Sequence, residues 1–462
     1  MGKKSVKHGH ISYNIFFSMI ILFANMHSSI HAQQEAWATV FIHGIMSIKP
    51  HLSLSNFMRF MRDKIDDTVY AKTVQLMRLD EFFYYNQVMD GYGLHEINIY
   101  DRSRNNASSA IASFYNTVQN LVEPNGEYHY YTYGWSGLLS STHRYLDAKK
   151  LFEALEHLSN IFQKQGKKLR IRLIGYSHGG NVLLNLAAIR QDFYPDSTLI
   201  IDEALLLGVP IQTETDYLII DPIFDKIYHI YSEADRIQCI DFFSFNRFFS
   251  RRHFKHRQTL KIPKNLTQVK LKLMRLTKSR YPLEQRIRRV SNYKDAEIIS
   301  GTSPYLRDAS PGHIEMWFFG WAPQHYRRAE EGWPGFILEP LPVVIFLPYV
   351  IHYIQQVAHN LVNPRPVTVD IRPELDVMLI KQYNPKRFCQ IFPFVPQDIR
   401  DMFADTAYAI RPLSYTLEEY NDHISIAYRK AIAYYQDQQD KLDLENKSYR
   451  YKRSRKRGYT HK

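Results

Sequence analysis

Cysteine is nearly missing from this chain, whose 462 residues include only Cys239 and Cys389. Two thiols cannot build a disulfide framework or a cysteine-based zinc site, and leave room for one bridge at most. Long apolar runs are scarce as well. With 45% hydrophobic and 23% charged residues and a mean hydropathy of −0.37, the composition fits neither a disordered chain nor a polytopic membrane protein. Acid is short against base, 46 to 59, for a formal charge of +13. That shortage is local. The stretch that begins with Arg247 and ends with Arg289 holds 15 Lys or Arg against one acid, Glu284. Residues 447–462 add eight bases and no acid, and Lys3, Lys4 and Lys7 add three more. Outside these stretches the chain is net −12, so its pI of 9.3 does not describe its body. A basic pI ordinarily invites a nucleic-acid partner; here the question is what the basic segments are attached to.

Lys3, Lys4 and Lys7 precede a charge-free stretch, residues 11–26, that contains the apolar run 15–23, and Ser29-Ile30-His31-Ala32 follows with a small residue at its end. A basic start, a short apolar centre and a cleavage-like end predict a secretory signal peptide over 1–32. An uncleaved membrane anchor is the alternative, although the segment is short and polar for a helix that needs about 20 apolar residues to span. Export, to the medium or a periplasm, counts against a cytosolic nucleic-acid binder.

After the signal, strand-like and helix-like patterns alternate. Strands are predicted at 38–42, 128–133, 169–175, 204–207 and 227–231, and helices at 54–65, 109–121, 145–165 and 179–190. Such alternation predicts βαβ units and a mainly parallel sheet flanked by helices, an α/β fold. The last core strand is left between 268–273, which alternates well, and 296–300. Residues 340–364 carry no formal charge, but Pro340, Pro342 and Pro348 would break a spanning helix, so a buried segment or apolar flap is predicted there. Residues 367–380 read as a hairpin. Thr416 and Glu419 have capping-box spacing at the head of a helix running to about Leu444, with a disordered basic tail at 447–462.

Gly175-Tyr176-Ser177-His178-Gly179 is a G-x-S-x-G between a predicted strand and a predicted helix. In that context the serine sits on a sharp turn with its hydroxyl exposed, its neighbours small because strand and helix approach closely there. A serine hydroxyl is a poor nucleophile and needs a base, which needs an orienting carboxylate, in the chain order Ser, then Asp or Glu, then His for this arrangement. Asp235 lies just past a predicted strand end, with Glu233 and Asp241 as competitors. His313, in the turn-forming sequence Ser310-Pro311-Gly312-His313, is the candidate base and His325 the runner-up. An oxyanion hole would use the backbone N–H of His178, after the nucleophile, and of Ile45, in the loop after the first strand.

These pieces resemble the landmarks of α/β-hydrolase lipases and esterases, especially the bacterial secreted lipases. The similar segments are ValPheIleHisGlyIle at 40–45, GlyTyrSerHisGlyGly at 175–180, LeuLeuGlyValPro at 206–210, IleTyrSerGluAlaAsp at 230–235 and GlyHisIleGlu at 312–315. TyrGlyTrpSerGly at 133–137 is similar to a strand-end feature of lipase-like members. The resemblance covers about 37–320 and implies an α/β-hydrolase domain over 33–320, with Ser177 as nucleophile, Asp235 as orienting acid, His313 as base and no cofactor or metal. The chain departs from compact members by the 77 residues between Asp235 and His313 and the 149 that follow His313.

The expected activity is cleavage of carboxylic esters with an apolar acyl chain. An acyltransferase or thioesterase using the same triad, and a non-catalytic surface-binding protein, are the alternatives. The basic insertion or lid, 241–295, opens with Phe242, Phe243, Phe245, Phe248 and Phe249 among its arginines, a mixture suited to an anionic membrane surface. A solvated insert and a nucleic-acid or other polyanion partner are the competing readings. Residues 321–446 form a C-terminal extension with no assigned role.

Overall fold

The computed structural model describes residues 34–46, 63–101, 106–235, 237–239, 250–257, 260–278, 304–321, 338, 340–362, 365–383, 388–412 and 416–458. The proposed signal peptide, most of the helix expected at 54–65, Asp241, the strand candidate at 296–300 and His325 lie outside these residues.

Eleven strands join in one mixed sheet. They are β1 (Glu35–Ile42), β2 (Gly93–Glu96), β3 (Glu127–Gly134), β4 (Lys168–Tyr176), β5 (Ile201–Leu207), β6 (Phe224–Tyr231), β7 (Leu266–Lys278), β8 (Pro304–Asp308), β9 (Val367–Arg372), β10 (Val377–Gln382) and β11 (Phe388–Pro393). Their order is β11-β10-β9-β7-β6-β5-β4-β1-β3-β2, with β8 paired to the end of β7. Every neighbouring pair from β3 across to β9 is parallel. The outer pairs β2/β3, β9/β10 and β10/β11 are antiparallel, as is β7/β8.

The helices are α1 (Val69–Arg78), α2 (Ala107–Val122), α3 (Ser141–Lys164), α4 (His178–Phe193), α5 (Leu347–Gln356), α6 (Gln397–Ile410) and α7 (Leu417–Gly458). Side chains alternate along each strand between two cores. On one face Leu173, Leu206 and Ile227 pack with Leu155 of α3 and Leu183 of α4. On the other, Ile174, Leu205 and Val269 pack with Ile111 of α2 and Val350 of α5. A sheet covered on both faces explains why the central strands end in apolar runs, and their parallel order explains why helices separate them.

The basic stretch is not one excursion. Its residues 266–278 are β7, paired in parallel with β6, so the alternating candidate at 268–273 is a core strand. Within the same stretch Phe254 is buried, its N–H donating to Gln268 Oε1 at 2.8 Å. Described parts of the C-terminal region likewise join the core, among them Val350, Val369, Ile380 and Phe403. The 367–380 hairpin becomes β9 and β10, and β9 aligns beside β7. The apolar segment after Pro340 turns through a short 3-10 stretch, Val343–Phe346, into buried α5, with Pro348 tolerated in its first turn. Gln355 of α5 donates to Glu203 (2.8 Å) and Tyr228 (3.0 Å), completing the surroundings of a buried Arg172–Glu203 ion pair. Arg172 Nη1 also donates to Gln119 (2.7 Å) and Tyr115, the kind of added hydrogen bonding a buried pair needs.

The capping box of α7 forms reciprocally: Glu419 N–H donates to Thr416 Oγ1 and Thr416 N–H to the Glu419 carboxylate. The helix does not end near Leu444. It continues to Gly458, so the backbone of 447–458 is helical where a disordered tail is expected; no Gly or Pro interrupts it, and Lys and Arg are good helix formers. Cys389 is exposed and unpaired, which removes a Cys239–Cys389 bridge. No helix among the described residues is long and apolar enough to cross a membrane.

Candidate active site

The C-terminal ends of β1, β4, β5 and β6 meet at one edge of the sheet, where the parallel register brings chain-distant loops together. β4 ends at Tyr176, and Ser177 follows with φ 51° and ψ −131°, backbone that a non-glycine residue adopts only under strain. The turn is tight enough to restrict its neighbours. A Cβ on Gly179 would press into the carbonyl oxygens of His43 and Ile42, the latter at 2.6 Å, and a Cβ on Gly175 would lie 2.6 Å from Gly180 Cα. Small residues here are the condition for β1, β4 and α4 to close around the serine.

Ser177, His313 and Asp235 converge. His313 Nε2 is 2.9 Å from Ser177 Oγ, and His313 Nδ1 is 2.7 Å from Asp235 Oδ2. The second contact makes Nδ1 the donor and leaves the Nε2 lone pair facing the serine hydroxyl. Ser177 and His313 are 4% and 9% exposed and Asp235 is fully buried. The remaining Asp235 oxygen accepts from the N–H groups of Ile237 (3.0 Å) and Gln238 (3.2 Å), which orient the carboxylate. Arg252 Nε donates to the Asp235 carbonyl at 3.0 Å, so the basic stretch also braces this loop. Glu233, the competing acid, is exposed and paired with Lys270. Gly208 lies between the partners at φ 61°: a Cβ there would stand 3.4 Å from both Asp235 Oδ2 and His313 Nδ1.

The loop after β1 passes over the nucleophile, since a Cβ on Gly44 would lie 3.0 Å from Ser177 Cβ. That puts the Gly44-Ile45 backbone beside the amino terminus of α4, which begins with His178. A buried relay holds the loop. Trp135 donates from Nε1 to the His43 carbonyl (2.7 Å) and from its backbone N–H to His43 Nε2 (3.3 Å), and its indole stacks on the imidazole. His43 Nδ1 in turn donates to the Gly44 carbonyl at 2.6 Å. This pattern needs a neutral ring, and burial, reinforced by the Arg78 cation, holds His43 well below the usual histidine range. Met46 N–H donates to the Gly137 carbonyl at 3.1 Å. Arg78, itself buried, donates to the Trp135 carbonyl at 3.0 Å.

No protein-family model and no curated protein sequence matches this chain. Sequence reasoning placed Ser177, Asp235, His313, Ile45 and His178, and the structure brings all five to one strand edge. It missed the supports: Tyr176, Gly208, Arg252 and the roles of Trp135 and His43. Position was the only signal for Tyr176 and His43, next to Ser177 and Gly44; Arg252 had none, because its contact with Asp235 depends on how the basic stretch folds back.

Proposed function

We propose that the protein is an exported serine hydrolase that cleaves carboxylic esters through an acyl-enzyme. The observation that carries this reading is the Ser177–His313–Asp235 array on a strained strand-to-helix turn. Ser177 Oγ attacks the ester carbonyl carbon while its proton passes to His313 Nε2; Asp235 holds the imidazole and stabilises its cationic form. The carbonyl oxygen becomes an oxyanion facing the Ile45 and His178 N–H groups, each such donor being worth about 2.7 to 4 kcal/mol in the transition state. Collapse breaks the C–O bond, and the leaving alcohol takes the proton from Nε2. Water then repeats the sequence on the acyl-enzyme and frees the acid. Export is supported by the amino-terminal sequence alone.

A fluorophosphonate tests this directly, because it reacts only with an activated serine. Stoichiometric labelling that disappears in Ser177→Ala is expected, together with a loss of esterase activity of about 10⁴-fold or more. Folded wild-type protein that takes no label would overturn the reading. Product analysis with an added acceptor alcohol separates hydrolysis from acyl transfer.

A further inference from the structure

We infer that Tyr176 is a positioning residue for the base, its hydroxyl holding the His313 backbone in register with the adjacent Ser177. The inference rests on the hydrolase reading above. The phenol donates to the His313 carbonyl oxygen at 3.1 Å. Its ring lies against the imidazole, centroids 4.9 Å apart, and stacks on Trp317 at 5.1 Å and 5°. Both aromatic side chains are buried.

Ser177 and His313 are 136 residues apart in the chain, and their side chains must meet at hydrogen-bonding distance for the proton to move. The nucleophile side is rigid by construction. The histidine side is a loop after β8, and among the described residues β8 pairs with the far end of β7, beyond the part aligned with β6. This loop gains its register from outside. Ala309 N–H donates to the Leu273 carbonyl (2.8 Å) and Phe319 N–H to the Asn86 carbonyl (2.9 Å), but both bonds lie several residues from His313. Tyr176 reaches His313 itself, and its peptide is continuous with Ser177. A displacement of the elbow is thereby carried to the base, and the Ser–His distance is preserved. Burial, with the Asp235 charge adding to it, pushes the Tyr176 phenol well above its ordinary range, so it remains a donor at every working pH. Without the hydroxyl, the bond that remains to the His313 carbonyl among the described residues is the 3.3 Å contact from Met316 N–H, three residues away in the same loop. The loop would stay folded with its ring free to drift.

Tyr176→Phe keeps both ring contacts and removes the donor. Its phosphonylation rate and its kcat on a short-chain ester are expected to fall together by about tenfold, with KM within about twofold of wild type and the labelled fraction still complete. A residue that merely supports folding would lower the labelled fraction and leave the rate per labelled site unchanged. 4-Aminophenylalanine at 176 restores a donor at the same place and is expected to recover most of the rate. Wild-type rates in Tyr176→Phe, a fall confined to the labelled fraction, or no recovery with the amino analogue would each overturn the inference. If wild-type protein takes no label, the hydrolase reading fails, and this role fails with it.

Discussion

The serine side and the histidine side of the central contact are built by different means. Ser177 is held first by its own strained turn and the glycines around it, and is then tied to the sheet by a bond from its N–H to the Leu207 carbonyl of β5 at 3.0 Å. His313 and Asp235 are held chiefly by contacts from elsewhere, namely Tyr176, Gly208 and Arg252, with the nearby N–H groups of Ile237 and Gln238 orienting the carboxylate. One side can be written as a five-residue motif. The other needs the folded sheet, because residues distant in the chain must arrive at one sheet edge before His313 can meet Asp235, Ser177 or Tyr176. A nucleophile needs one strained geometry that local sequence can impose, whereas a base must meet two partners at once.

Asp235→Asn is the largest expected blow to the histidine side. The amide can donate to His313 Nδ1 and so favour the wrong tautomer, turning the Nε2 proton toward Ser177; kcat is expected to drop by about 10⁴-fold with the fold intact. A loss under tenfold would mean that Asp235 does little beyond packing, and the comparison would lose its second half. Gly179→Ala strikes the serine side. Its methyl group meets the carbonyls of Ile42 and His43, so β1 must retreat and take the Ile45 N–H with it. Steady-state kinetics should show kcat reduced by about 10²-fold, and urea denaturation a destabilisation of about 1 to 3 kcal/mol. An active, stable Gly179→Ala protein would show that the elbow tolerates more than its contacts imply.

Acid should weaken both sides more gently. His229, fully buried on β6 between Tyr231 and Phe254, is pushed down to about 3 by burial, and His43 is also held low. In the unfolded chain both titrate near 6.5. Between those values the unfolded state binds more protons, so stability falls as pH falls, by about 1.4 kcal/mol per pH unit for each histidine. Urea midpoints measured from pH 7 to 4 should decline accordingly, and His229→Phe should remove one proton's share of the slope. An unchanged slope in that variant would place the acid sensitivity elsewhere.

Much of the central sheet was legible because its strands carry their own signals. β1, β4, β5 and β6 are apolar runs ending at turn residues, and α2, α3 and α4 show helical periodicity between them. α1, β2, β8, β11 and α6 are not predicted from the sequence. Gly93–Glu96 is too short for a period, and Phe388–Pro393 is an edge strand whose middle residues, Cys389, Gln390 and Ile391, are exposed, so its pattern is weak. Tyr176 went unnoticed because an aromatic residue at a strand end reads as core, which it also is. Only its hydroxyl, aimed at a carbonyl 137 residues away, separates packing from positioning.

Local sequence by itself determined the alternation of strands and helices, the strand-to-helix turn at Ser177 and the capping of α7, since each has its signature within a few residues. Tertiary structure alone decided that β7, from within the basic stretch, and β9, from the C-terminal region, complete the parallel sheet. It also decided that Arg252, Gly208 and Tyr176 close around Asp235 and His313. Strand neighbours and buried polar partners are chosen by which surfaces exclude water together, and that choice is made only when the whole chain has folded.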